Sequence, residues 1–312
     1  MKPTLLSLST VSLFVMFACG VAPSDSVENL PQSWEAQSVD EPATSTHLWV
    51  VEQALRIAET QRDPGSVAAH RFLSREGCSA RWRQGLFDAD FLAKYNDGRR
   101  DIEPGDSKLE LLVSGTSWKS HFYDPDTGMN YKKEKSPTAF TETLAHVENA
   151  LASARGGDIE ACYELGVALH YFTDIMQPMH AANFTSLDRP VELHSHFETF
   201  AMAVQDEFPL AHGSPAPSGD IDTFIHNAAR KSKATWGHVL PAILAAYDRQ
   251  SEFAMCNNSR TPLVFDHEKC WVDDADVREL AGKSLRDSQD LTAQLLSIVG
   301  NKLPAADMQA AE

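Results

Sequence analysis

The chain has 312 residues, 43% of them hydrophobic, and a formal net charge of −17. That length allows one large domain or two small ones, and the apolar fraction is enough for a real core. The negative balance excludes a general nucleic-acid-binding surface, which needs a basic footprint, and electrostatic docking on strongly anionic membranes. It leaves room for a deep metal site that handles a single phosphate.

Residues 1–20 read as an export signal. Lys2 gives the positive start, and Leu5 to Ala18 is apolar but too short and lightly flanked for a membrane span. Ala18-Cys19-Gly20 offers small residues for cleavage; Cys19 also fits lipoprotein attachment, but Met16 and Phe17 are poor neighbours for that. No other stretch is long and apolar enough to cross a bilayer. A polar run rich in Ser, Pro and Asn leads to Trp34, which by itself reads as an anchor for a chain end.

A helix is predicted from His47 to about Thr60, with Leu48, Val51, Ala54, Leu55, Ile57 and Ala58 on one side and Thr46 or Ser45 as its cap. Residues 61–84 are less periodic, and the mixed, basic run from Arg71 to Arg83 reads as a short helix and loops. Asp88 and Asp90, in G-L-F-D-A-D-F, read as loop carboxylates. Residues 96–110 read as a further loop, and D-P-D-T-G after His121 is a turn signal. A helix over Ser136–Ala154 turns Phe140, Leu144, Val147 and Leu151 to the core and leaves His146 off that stripe as an ordinary polar residue.

After a Pro/Gly/Ser loop at Pro209–Gly219, three more helices are predicted: Asp220 to about Lys233, Trp236–Tyr247 and Asp274–Val299. His226, in the first of these, reads as structural. Residues 303–312 are small and polar and read as a disordered tail. Helices dominate and strands are few, so the fold class is all-α. Cys256 and Cys270 bracket a loop, where a disulfide suits an exported protein, while Cys78 and Cys162 either pair or stay free. None of the four has C-x-x-C spacing, so no thiolate zinc site is expected.

The chemistry concentrates at His170–Asn183, H-Y-F-T-D-I-M-Q-P-M-H-A-A-N. Ile159, Cys162, Leu165, Ala168 and Leu169 recur at helical spacing before it. His170 and Asp174 then share one helix face, roughly 5–6 Å apart at Cβ, close enough to grip one ion. Pro178 ends or kinks the helix, which frees His180 to point toward a second ion. A lone H-x3-D is weak, but His194 and Glu198 repeat the spacing in E-L-H-S-H-F-E-T-F, with Phe197 and Phe200 placed to pack the pair. Imidazole and carboxylate without thiolate suit a catalytic zinc site with positions open to water.

This pattern resembles the bacterial zinc-dependent phospholipases C, whose signature is H-Y-x-[GT]-D, a short apolar residue, then Q-P-x-H-A-x-N. The chain departs from it only at Met176, where the family usually has a small polar residue. The resemblance runs from about Trp34 to about residue 300. It implies a single compact multi-helix catalytic domain over 34–302, of the type shared with single-strand nucleases. It also implies a short propeptide, 21–33, removed before Trp34.

By position it implies three Zn2+ ions. One would bind Asp90, His121, His170 and Asp174. A second would bind the amine and carbonyl of Trp34, His47 and a bridging Asp174. A third would bind His180, His194 and Glu198. The spacing between Asp90 and His121 is longer here than is usual in the family. Asp90 is the implied general base, activating water that hydrolyses the glycerol–phosphate ester of phosphatidylcholine and related phospholipids to diacylglycerol and a phosphorylated head group. Gln37, Phe91 and Trp118 match positions that cradle choline in the family. Gln37 replaces a glutamate there, so broad head-group tolerance is expected, with the aromatics still able to hold a quaternary ammonium. A secreted monomer that touches the membrane surface transiently and binds no nucleic acid completes the implied picture.

Two alternatives share part of the pattern. A zinc-dependent single-strand nuclease would share the tryptophan start and H-x3-D, but H-A-A-N-F-T, Glu198 and the negative charge speak against it. A non-catalytic secreted zinc-binding protein would be expected to lose the base or a bridging ligand, yet all nine ligand positions are present. Some family members carry an added C-terminal membrane-binding sandwich; the last helix leaves no room for one, so strong lysis of intact membranes is not expected.

Overall fold

The computed structural model describes residues 45–103, 106, 110, 113–189, 193–251 and 274–304, with no side chains described for 247–251. The expectations for the export signal, the propeptide, Cys19, Trp34, Gln37, Cys256 and Cys270 lie outside the described residues, as does the tail beyond Pro304.

The fold is organised around one helix that is apolar on nearly every side. In α6 (Glu160–Met176) every residue from Ala161 onward except Glu164 is buried. A helix apolar all round must be covered all round. α3 (Cys78–Phe91) and α5 (Ala139–Arg155) cover it most extensively, and α1 (Thr46–Thr60), α9 (Ile221–Ser251) and α10 (Ala275–Gly300) also touch it. α2 (Pro64–Ser74) packs on α10 and α1. The short helices α4 (Ala93–Asn96) and α7 (Pro178–Ala181), with α8 (Leu193–Val204), complete the set. Among the described residues the only β-type pairing is an isolated bridge between Asp124 and Met129, so the all-α expectation holds. No described helix is long and apolar enough to cross a membrane.

Local signals account for most boundaries. Ser45 rather than Thr46 caps α1, accepting from the Leu48 amide. Thr138 and Thr141 form a reciprocal capping box at the start of α5. Gln177 caps α7, whose first residue is Pro178, a position where proline loses nothing. The D-P-D-T-G segment forms the expected turn, the Gly128 amide donating to the Asp124 carbonyl at 2.8 Å.

Three local expectations are corrected. Residues 61–84 hold two regular helices rather than a short helix and loops. Asp63 caps α2 through the Ser66 amide (2.9 Å), and Arg81 and Arg83 reach Glu160 and Glu52 on other helices. Asp88 and Asp90 therefore lie in the last turn of α3, not in a loop. The buried stripe of α3 runs through Cys78, Trp82, Gly85, Leu86, Ala89 and Asp90; glycine and aspartate among these disguise the period. The two helices expected over 220–247 are one continuous α9. Its buried stripe passes through Ser232 and Thr235, polar residues that conceal the continuity.

The buried side chains form two clusters. One surrounds α6 and reaches its last residue, Met176; the other joins Trp49, Val50 and Met179 to α8, α9 and α10. A disulfide between Cys78 and Cys162 ties α3 to α6 inside the first cluster, settling the alternative left open for these cysteines. Linking residues 84 apart in sequence removes unfolded-state entropy worth on the order of 4 kcal/mol.

Candidate metal centre

His170 and Asp174 lie one turn apart on α6, fully enclosed, with Nε2 of the histidine 3.3 Å from Oδ2 of the carboxylate. Around this pair the fold assembles side chains from four other segments. α3 contributes Asp90, whose Oδ1 is 3.4 Å from His170 Nε2. The 3-10 turn Lys119–His121 contributes His121, whose Nδ1 lies 2.8 Å from Asp174 Oδ2 and 3.2 Å from His170 Nε2. The first turn of α1 contributes His47, its ring stacked on His170 at 4.1 Å and its Nε2 3.6 Å from Asp174 Oδ1. α7 contributes His180, whose Nδ1 is 3.2 Å from Asp174 Oδ1.

His180 also belongs to a second gathering. Its Nε2 lies 3.0 Å from His194 Nε2 and 3.2 Å from Glu198 Oε1, and the His194–Glu198 pair closes at 2.7 Å. Phe197 and Phe200 are buried beside that pair, as expected. The side-chain amide of Gln177 donates to Glu198 (3.1 Å), while its oxygen accepts from the amides of His180 (3.2 Å) and Met179.

The histidine orientations are imposed from behind. His170 Nδ1 donates to the Leu86 carbonyl (2.8 Å), His180 Nδ1 to the His121 carbonyl (2.9 Å), and His194 Nδ1 to the Phe184 carbonyl (2.6 Å). Thr173 spends its hydroxyl proton on the Leu169 carbonyl (2.8 Å), so it accepts from His47 Nδ1 at 2.6 Å. Partners of this kind select the tautomer of a metal-ligating histidine. In these four rings the remaining nitrogen, with its lone pair, is turned toward the cluster.

That arrangement tests whether the residues fit a metal. Two imidazole lone pairs facing each other at 3.0 Å, as in His180 and His194, repel unless positive charge lies between them. Three groups place one donor atom per residue within 4.8 Å of one another: His47–His170–Asp174, Asp90–His121–His170 and His180–His194–Glu198. All are nitrogen or oxygen donors, and all are buried. This is the donor set zinc accepts, with three protein ligands per group and no thiolate.

The same charge balance shows in the titration of the groups. Burial pushes His170 down, but Asp90 and Asp174 outweigh it and raise the imidazole to about 10. Burial opposes ionisation of Asp174, yet His170, His121 and His180 hold it well below the usual carboxylate range. Glu198 falls to about 2 because His194 and His180 overcome its burial. His47 moves the other way: burial and the neighbouring His170 push it well below 6.5. The carboxylates therefore favour positive charge at His170 and His194, while His47 stays neutral.

The two described head-group candidates lie against Asp90. Phe91 is only 4% exposed and stacks on Phe87 at 4.3 Å. Trp118 is half-buried, adopts φ 47, and donates its indole N–H to the Asp90 carbonyl at 3.3 Å. His146 is not a surface residue: it is buried, with Nδ1 2.7 Å from Glu164 Oε2, and belongs to no metal group. His226 accepts a structural role beside the Tyr123 hydroxyl at 2.9 Å. Sequence reasoning passed over Gln177 and Thr173, although both stand inside the motif, because it weighed only side chains that ligate. Phe122, stacked on His180 at 4.4 Å, and the carbonyls of Leu86 and Phe184 carry no sequence signal at all.

Residues 46–254 match the family model of zinc-dependent phospholipase C. The chain is 27% identical to the phospholipase C of Listeria monocytogenes serovar 1/2a over 286 residues, covering 90% of this chain and 86% of the relative. It is 27% identical to a Bacillus cereus phospholipase C over 273 residues, 85% and 84% of the two chains. A shorter match, 36% over 179 residues, joins it to a phospholipase C of Clostridium perfringens, covering 54% of this chain and 39% of the relative. Among solved structures, the alpha toxin from Clostridium absonum superposes with a TM-score of 0.54 at 21% identity, over 82% of this chain and 63% of the toxin. At that identity the superposition speaks for the fold alone. With a family match over residues 46–254, and with nitrogen and oxygen donors gathered as zinc requires, the chain belongs to the zinc-dependent phospholipase C family.

Proposed function

We propose that the protein is an exported phospholipase C that hydrolyses the glycerol–phosphate ester of phosphatidylcholine and related phospholipids, releasing diacylglycerol and the phosphorylated head group. The observation that carries the reading is the convergence of three buried donor groups, one of which includes Asp90, within a chain of this family. Zinc bound there supplies the positive charge that acidifies water and steadies phosphoryl oxygens.

The chain's own residues do the rest. Asp174 touches His47, His121, His170 and His180, so one carboxylate joins neighbouring groups. Asp90 is the proposed general base. It takes a proton from the attacking water; the new bond forms at phosphorus, the bond to the glycerol oxygen breaks, and that oxygen leaves with a proton from solvent. Trp118 holds the Asp90 backbone through its indole N–H, which fixes where the base points. Phe91 and Trp118, with Gln37, form the proposed head-group wall. The absent carboxylate at 37 favours similar rates on phosphatidylcholine and phosphatidylethanolamine. Export through residues 1–20, removal of 21–33, a body over 34–302 and ligation by the freed Trp34 amine belong to the same reading.

The deciding experiment is product analysis with processed, zinc-loaded protein. Phosphatidylcholine vesicles and single-stranded DNA are supplied in parallel, with and without chelator. Diacylglycerol and phosphocholine released only without chelator are the expected products. Nucleotide release with no lipid turnover would assign the same centre to a nuclease.

A further inference from the structure

Helices α3 and α6 lie side by side in a constant register. Residues separated by 84 positions face each other, rung after rung, one helical turn apart. At Cys78 and Cys162 the rung is the disulfide, with Cα atoms 5.4 Å apart. At Trp82 and Gly166 the backbones meet: a Cβ on Gly166 would lie 1.9 Å from the Trp82 carbonyl oxygen. Gly85 makes the companion contact, where a Cβ would lie 2.2 Å from the Tyr163 carbonyl oxygen. At Leu86 and His170 the rung is the hydrogen bond from Nδ1 to the carbonyl, 2.8 Å. The next rung brings Asp90 level with Asp174, and both carboxylates converge on His170 Nε2, at 3.4 and 3.3 Å.

We propose that the Cys78–Cys162 disulfide and the close backbone contacts at Gly85 and Gly166 position the zinc ligands: they lock the register of α3 against α6 and so set how Asp90 meets His170 and Asp174. The inference rests on the metal-centre reading of those side chains. Magnitudes support it. A slip of one residue along a helix is about 1.5 Å, whereas ligand distances at a metal are held to about 0.2 Å. The register must therefore be fixed more tightly than side-chain packing between two smooth helices requires. The glycines supply close backbone contact, and the disulfide prevents sliding from the far end. The His180–His194–Glu198 group draws its ligands from α7 and α8, so it takes no ligand from the lock.

The test uses the processed, zinc-loaded protein and competition with a chromogenic chelator, with helix content followed by circular dichroism. In Cys78→Ala/Cys162→Ala, zinc on the Asp90–His170–Asp174 side is expected to be held roughly 10–100-fold more weakly. One tight ion remains, and adding His194→Ala removes it. If that variant does not fold, the folded wild-type protein is treated with a water-soluble phosphine, which is oxidised to its oxide as the disulfide becomes two thiols. Zinc should then leave in step with thiol appearance, with one ion staying behind. Unchanged affinity for every ion overturns the proposal, as does loss of all ions together with the helices. A wild-type zinc count that neither Asp90→Ala nor His194→Ala lowers would instead sink the metal-centre reading itself.

Discussion

Oδ1 of Asp174 lies 3.2 Å from Nδ1 of His180, so the carboxylate that closes the α6 group also borders the group on α7 and α8. Its other oxygen faces His121 and His170. Removing the charge but keeping the shape isolates this bridging role. Asp174→Asn is expected to lower zinc content by at least one ion and to cut turnover by at least about a hundredfold, in line with losing a ligand whose charge neutralises a buried cation. Metal content and kcat measured on the same preparation check this; a full zinc complement with a wild-type rate would contradict the bridging role.

Asp90 separates ligation from catalysis. Asp90→Asn keeps an oxygen toward His170 but cannot take a proton. Turnover is expected to fall by about 10²–10⁴, while most zinc remains bound. A near-wild-type rate removes Asp90 from the proton-transfer step.

Zinc and protons compete for the same nitrogens, which gives the metal-free protein a distinctive pH profile. His170 is raised to about 10 from 6.5, so its stabilising contribution is complete below 6.5 and is lost as pH rises toward 10. His194, also raised, loses its contribution in the same direction. Glu198 is depressed from 4.5 to about 2, so its contribution is present above 4.5 and lost as pH falls toward 2. His47, depressed from 6.5, adds to the loss on the acid side. Thermal midpoints in chelator should therefore peak near pH 6.5 and fall on both sides. Zinc should flatten the alkaline limb by replacing the protons on His170 and His194. A metal-free midpoint that climbs steadily from neutral to alkaline pH would reject this account.

Gln177 donates to Glu198 and accepts from the amides that start α7. Gln177→Ala should weaken the His180–His194–Glu198 ion by about 10–100-fold, the usual cost of deleting an outer partner of a metal ligand. The Asp90 side should be unaffected. Chelator titration of single-ion retention tells the two apart.

Much of this centre was legible before any coordinates. His170 with Asp174, and His194 with Glu198, are i,i+4 pairs, and a helix must turn such residues to one side. Pro178 marked the break that releases His180 from α6. Asp90 and His121 were different. Each stands alone in its segment, and only resemblance to the family pointed to them. The polar residues that interrupt the buried stripes of α3 and α9 hid the first helix and the continuity of the second. Asp90, Ser232 and Thr235 are buried by packing and not by hydrophobicity.

The amino-acid sequence by itself determined most of the helices, the break at Pro178, and which carboxylates and imidazoles share a turn, because these depend on contacts three and four residues apart. Only the tertiary structure decided that α3 lies on α6 with a constant offset, that Cys78 meets Cys162, and that the carbonyls of Leu86, His121 and Phe184 turn the histidine lone pairs inward. Those relations join segments tens of residues apart through backbone atoms every residue possesses, and such atoms leave no mark in a sequence.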